Sequence, residues 1–203
     1  MIADPCAEVV DLAFGVKGEA IAADCAERLQ RSVLGVLSWM EHEPGAGIHP
    51  LRGTSGGGDR RLLSQRAQLV LRLPLARVGA ARALSGLRFD LDGEIELGAS
   101  AVRPLAPYHV VYSRFVSTGD EDECAFLAAV EGAATMAGID CKLIAGKPRE
   151  GIDGQQRYRG FSLMLHGLSP GHSLMVQSLG IGGRRLLGCG VFVPHKSIAP
   201  VGG

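Results

Sequence analysis

No run of eighteen apolar residues occurs in this chain, and Met1 to Glu8 lacks the basic and apolar regions of a secretory leader. These absences exclude a helical membrane span and predict a cytoplasmic protein that makes no membrane contact. Nor is there a C-x-x-C pair. The five cysteines (Cys6, Cys25, Cys124, Cys141, Cys189) are scattered and odd in number, which argues against a disulfide framework and against a zinc ribbon. Cys25 and Cys124 fall in helical patterns and are read as small buried apolar side chains. Other missing signatures narrow the chemistry. No G-x-S-x-G elbow and no H-E-x-x-H is found, and Gly146-Lys147 is followed by Pro148 rather than by the hydroxyl residue of a phosphate loop. Acidic residues form no evident cage, so no metal or cofactor is expected. The two halves carry no sequence repeat that aligns.

Net charge is missing as well, since 21 basic residues balance 21 acidic ones. Their distribution is uneven. Residues 1–50 hold three basic and eight acidic side chains, whereas residues 142–203 hold eight basic and two acidic. A segregated basic end suggests a surface that meets a polyanion. At 203 residues, 46% hydrophobic and with a mean hydropathy of +0.17, the chain can build a packed core in one large or two small domains.

The first strand is expected at Val9–Val16 and a helix at Ala22–Met40, where apolar residues recur at three- and four-residue steps. Glu41 to Asp59 then has no periodicity, and so long a loop rich in glycine and proline is usually functional or disordered. A hairpin of Arg60–Leu63 with Gln68–Leu73 is expected next, then a helical stretch Leu75–Leu87. Phe89–Leu97 reads as a hairpin around Asp92-Gly93. Arg103 to Tyr108, with two prolines, is the best linker, which divides the chain into domains 1–102 and 109–203.

The second half follows the same plan. A strand is expected at His109–Val116, followed by a helix capped by Asp120, with Glu123 completing a capping box and Gly138 ending it. Strands at Cys141–Ile144 and Tyr158–His166 come next. Ser169-Pro170 opens a short helix that Gly180 closes, and Gly190–Val193 is the last strand. Strand–helix–strand–strand–helix–strand, twice over, predicts an α+β protein of two tandem ferredoxin-like βαββαβ domains.

Two loops carry candidate chemistry. Gly180 to Pro194, "GIGGRRLLGCGVFVP", precedes a strand and has Arg185 where a dinucleotide fingerprint would need glycine. Its amides and its arginines, Arg184 and Arg185, could instead form an anion-binding concavity, or the loop could be a turn with two solvated cations. The other loop holds His42 and His49, the latter in Gly47-Ile48-His49-Pro50-Leu51-Arg52-Gly53. Histidine suits proton transfer near neutral pH, its ordinary pKa being about 6.5. His166 and His172 lack the preceding cysteine pair of a zinc finger, and His166 is read as structural. His195 and Lys196 follow the last strand and could reach a ligand or only solvent.

The glycine-rich segment resembles the C-terminal loop and strand of the sixth Cas family, the CRISPR-associated endoribonucleases that process repeat RNA. Glu43 to Gly53, "EPGAGIHPLRG", is similar to the corresponding segment of that family's myxan subtype, and the order of elements agrees over essentially the whole chain. The resemblance implies metal-independent cleavage of a CRISPR repeat transcript on the 3′ side of its stem-loop, by attack of the RNA's own 2′-hydroxyl. It implies His49 as catalytic base or acid with His42 in reserve, and Arg52 as phosphate contact. Gly182, Gly183, Arg184 and Arg185 match the RNA-holding loop, and Lys147, Arg157 and Arg159 join them on charge alone. The implied partners are the repeat or guide RNA stem-loop and other subunits of a CRISPR effector complex. A non-catalytic RNA-binding subunit of the same fold is the alternative. A small-molecule enzyme or interaction module on the same architecture is a third class.

Overall fold

The computed structural model describes residues 8–195, so Cys6, Lys196 and the first seven residues fall outside the described part. Two compact units divide it. The first comprises residues 8–105 with Gly151–Gln156 and Arg184–Gly188; the second comprises Ala106–Glu150, Arg157–Gly183 and residues 189–195.

In the first unit, β1 (Val9–Lys17) alternates by side. Val10, Leu12, Phe14 and Val16 enter the core, while Asp11 faces the other way. Then follow β2 (Ala20–Ala22), α1 (Ala26–Val36), β3 (Gly47–Ile48), β4 (Thr54–Ser55), β5 (Arg60–Leu62) and β6 (Gln68–Pro74). The unit closes with α2 (Val78–Ala81), β7 (Arg88–Asp90) and β8 (Glu94–Pro104). The main sheet runs β3-β6-β1-β8-β7 with antiparallel pairing, and β2-β5-β4 form a small second sheet. Leu29 and Val33 of α1 lie one turn apart and are buried with Leu69, Leu71 and Leu73 of β6. Each such side chain contributes about 1.5–3 kcal/mol of apolar burial.

Several expectations are corrected here. Arg60–Leu62 pairs with β2 and β4, not with β6. The helix expected over Ala22–Met40 ends at Val36, and Ser38–His42 tightens into a 3₁₀ turn. Leu75–Leu84 is helical only in three short pieces. The Asp92-Gly93 turn stands as expected, with φ of 61° and 154° joining β7 to β8.

The second unit holds β9 (Val110–Val116), α3 (Glu123–Met136), β10 (Lys142–Asp153), β11 (Gln156–His166), α4 (Pro170–Leu179) and β12 (Val193–Pro194). The tip of the β10–β11 hairpin, Gly151–Gln156, clusters with the first unit. Strand order is β10-β11-β9-β12. The cap of α3 is Asp122, whose carboxylate accepts from the Ala125 amide; Asp120 instead accepts from the Thr118 hydroxyl. Phe126, Val130 and Ala134 form the buried stripe, and Cys124 is exposed, contrary to expectation. Ser169 caps α4 as expected, accepting from the His172 amide. The β10–β11 hairpin is far longer than its two sequence-predicted strands, and the last strand starts at Val193 rather than Gly190. Among the described residues no helix is long and apolar enough to cross a membrane.

Candidate active site

Strand parity builds the site. Asp11 of β1 lies directly opposite Arg72 of β6, so both side chains leave the same sheet face, away from the core. On the next strand Gly47 pairs with Arg72 and Ile48 with Leu71, and the His49 amide continues the ladder to the Val70 carbonyl at 2.9 Å. Ile48 therefore points into the core. His49 returns to the face of Asp11 and Arg72.

There the three side chains interlock. Arg72, with no solvent exposure, donates from Nε to Asp11 Oδ1 at 2.9 Å and from Nη2 to Oδ2 at 3.0 Å. This two-pronged pairing suits a planar guanidinium and a carboxylate. His49 Nε2 lies 3.1 Å from Asp11 Oδ1. Burial alone would raise the Asp11 carboxyl, but hydrogen bonds from His49 and Arg72 and the charge of Arg72 hold it far below the usual carboxylate range. His49 is pushed below its ordinary value by burial, assisted by the charges of Arg72 and Arg52 and opposed by Asp11. A neutral ring at pH 7 follows, and the Arg72 fork is then what keeps Asp11 ionised. An ionised carboxylate can only accept, so Nε2 carries the ring proton and Nδ1 carries the lone pair.

Asp11 and Arg72 were not among the sequence candidates. A signal for them existed: each is the one charged residue within a strongly apolar stretch, "VVDLAF" and "LVLRLP". Lone charges of opposite sign in two buried strands call for each other, because an unpaired buried charge is too costly.

Arg185 joins the same unit. It opens the 3₁₀ turn Arg185–Leu187, which packs against β3 and α1. Its Nη2 donates to the Gly45 carbonyl at 2.8 Å and its Nε to the Ala46 carbonyl at 3.2 Å, and Nη1 is shut off from solvent. Burial and the nearby Arg72 charge push the group down to about 10, against the pull of Asp11, so it stays cationic at pH 7. Arg184 sits in the left-handed region at φ 59° and donates from Nε to Asp153 Oδ2 at 3.2 Å. Gly188, at φ 85°, closes the turn, and a Cβ there would stand 2.9 Å from Pro50 Cγ, the residue after His49. Gly188→Ala should therefore destabilise the protein by about 1–3 kcal/mol in denaturant unfolding. Wild-type stability in that variant would show the turn to be unconstrained.

The remaining candidates are more dispersed. His42 is exposed at the end of its 3₁₀ turn. Arg52 is exposed, yet near enough for its charge to act on His49. In the second unit Lys147 is exposed on β10, while Arg159 of β11 pairs with Glu150 and Glu121, both at 2.9 Å. Arg157 lies 4.0 Å from Glu150. Gly182, at φ 81°, lies so close to Ser117 that a Cβ would stand 2.6 Å from its carbonyl oxygen, and the Gly183 amide donates to that oxygen at 3.1 Å. Both glycines are thus used by the backbone of the turn. The His195 ring lies 5.6 Å from that of Tyr112, tilted by 41°, and its amide donates to the Val110 carbonyl. Among the described residues no group of three or more His, Cys, Asp or Glu is placed to hold a metal ion.

Comparison with known proteins agrees with this fold. The family model described as Cas6 CRISPR matches residues 10–197. The CRISPR-associated endonuclease Cas6 of Myxococcus xanthus strain DK1622 is 34% identical over 194 residues, covering 95% of this chain and 84% of the relative. Among solved structures, the product of a Cas6-related gene from Pyrococcus furiosus superposes with a TM-score of 0.67 at 13% identity, covering 93% of this chain and 99% of the other. The CRISPR endoribonuclease Cse3 bound to a 19-nucleotide RNA gives 0.52 at 11% identity, over 92% and 98% of the two chains. At such identities the structural likeness speaks for an α+β fold with antiparallel sheets; the family model and the Myxococcus relative carry the assignment further. The chain belongs to the Cas6 family of CRISPR proteins.

Proposed function

We propose that this Cas6 protein processes CRISPR RNA as a metal-independent, repeat-specific endoribonuclease, cutting precursor RNA beside the repeat stem-loop. The observation that carries the reading is the His49–Asp11–Arg72 set: a histidine held neutral, with one nitrogen committed to a carboxylate and the other carrying a lone pair. Such a ring is a general base. His49 Nδ1 takes the 2′-hydroxyl proton and the 2′-oxygen attacks the adjacent phosphorus. The bond from phosphorus to the 5′ oxygen breaks, and that oxygen takes a proton from a second donor. The products are a 2′,3′-cyclic phosphate and a 5′-hydroxyl end, so atoms and charge balance without water or metal. Arg52 beside His49 would stabilise the extra negative charge on the phosphate as it becomes five-coordinate. The Myxococcus relative is named an endonuclease and the Cse3 neighbour was solved with RNA, which supports an RNA substrate here.

We read the chain as two ferredoxin-like domains, 1–102 and 109–203, because in each sheet the helices join antiparallel strands in a matching order. Retention on the cleaved RNA, as a subunit of a cytoplasmic effector complex, completes the proposal. A second reading is a non-catalytic RNA-binding subunit in which His49 only fastens the sheet face; the low exposure of its side chain, 14%, favours it.

The test is one incubation of protein with labelled cognate repeat RNA in excess EDTA. Cleavage beside the stem is expected, and a single 2′-deoxy substitution at the cut site should block it. Binding without cleavage would support the second reading, and no binding would sink both.

A further inference from the structure

We infer that Arg185 is a positioning residue for His49: the second arginine of the glycine-rich loop braces the segment that carries the histidine and does not hold RNA. The inference rests on His49 as the base and concerns a residue 136 positions away in sequence.

Three observations carry it. The first is where the guanidinium is spent. Arg185 donates to two consecutive carbonyls, Gly45 and Ala46, four and three residues before His49. Its Nη1 is closed to solvent, so no open fork remains to receive a phosphate. The second is the divergence of the two arginines. Left-handed backbone at Arg184 reverses the chain between them. One side chain is therefore sent to Asp153, where it stays a third exposed, and the other to the Gly45–Ala46 backbone. Adjacent in sequence, they cannot share one role.

The third observation is the segment itself. Glu43 is held by Arg77 at 2.5 Å, and the Arg77 guanidinium lies 5.0 Å from the centre of the Trp39 ring. The Ala46 amide donates to the Glu43 carbonyl, and Gly47–His49 is laddered onto β6. Between those two anchors stands Gly45 in the left-handed region, with φ 77°. Arg185 binds at that bend. Glycine has the largest backbone freedom of any residue, so this is where the segment would otherwise slacken. A base displaced by about 1 Å can lose on the order of 100-fold in rate.

The experiment compares Arg185→Ala, Arg185→Lys, Arg184→Ala and His49→Ala for single-turnover cleavage at saturating protein, for RNA affinity across a salt series and for amide hydrogen exchange in the free protein. With Arg185→Ala the saturated cleavage rate should fall about 10- to 100-fold while affinity stays within about twofold. The Ala46 and His49 amides should exchange faster. Arg185→Lys should recover part of the rate, since one ammonium can reach one of the two carbonyls. Arg184→Ala should weaken binding and reduce the salt slope by about one. Loss of affinity in Arg185→Ala with its saturated rate intact would overturn the brace, as would unchanged exchange at Ala46 and His49. If Arg185→Ala fails to fold, the exchange and rate of Arg185→Lys decide in the same way. Wild-type cleavage by His49→Ala would instead remove the functional reading, and the exchange measurement would still judge the brace.

Discussion

His49→Ala is expected to slow single-turnover cleavage by about 10²–10⁴-fold, the usual contribution of a positioned proton acceptor, while RNA affinity changes little. The ring lies on the sheet face with Asp11 and Arg72 and is mostly buried, so its removal takes away a base without taking away an exposed phosphate contact. The pH profile adds a second check. A base works in its neutral form, so the rate should rise with pH through a midpoint below the ordinary histidine value of about 6.5 and be level by pH 7. A rate that rises beyond pH 7.5, or full activity in His49→Ala alongside none in His42→Ala, would move the chemistry to another group.

Asp11→Ala should be the most damaging single change to stability, costing about 3–5 kcal/mol. It removes the carboxylate that Arg72, a cation with no solvent exposure, engages through both Nε and Nη2. Against a typical total of about 5–15 kcal/mol, such a loss brings the protein close to unfolding. Arg72→Met together with Asp11→Ala should recover much of it, because the two charges of the pair are then removed together. The pH dependence has a fixed sign. The carboxyl of Asp11 is depressed on folding, so its contribution is complete above its unfolded value of about 4 and drains away as pH falls toward the lower folded value. The gap between wild type and Asp11→Ala in urea midpoints should therefore be constant from about pH 5 to 8 and shrink in acid. A gap unchanged into acid, or a double variant no better than the single one, would refute the pairing.

How much of this was legible in sequence depends on the range of each signal. Ser169-Pro170, Gly138 and the Asp92-Gly93 turn act within four residues, and each was readable. Asp120 was mistaken for the cap of α3 because two acidic residues stand two apart, and only the Thr118 hydroxyl decides which is occupied. Strand β5 looked like the first arm of a hairpin, since proximity favours neighbours, yet it pairs with β2 nearly forty residues back. The site divides in the same way. His49 and Arg52 stood out in one loop. Asp11 and Arg72 are 61 residues apart and acquire meaning only when β1 and β6 are placed in register. Arg185 was visible as a cation, but the carbonyls it serves carry no side-chain signature at all.

The two-residue strand β3 acts on the histidine as a parity gate. Side chains along the ladder alternate faces, so one residue gained or lost between the Gly47–Arg72 pair and His49 would exchange His49 with a core position, whereas a change of two would not. The exposed stretch at Gly56–Asp59 is under no such odd–even constraint and has room to vary in length. Within one glycine-rich segment, then, length is counted strictly on one side of Leu51 and loosely on the other.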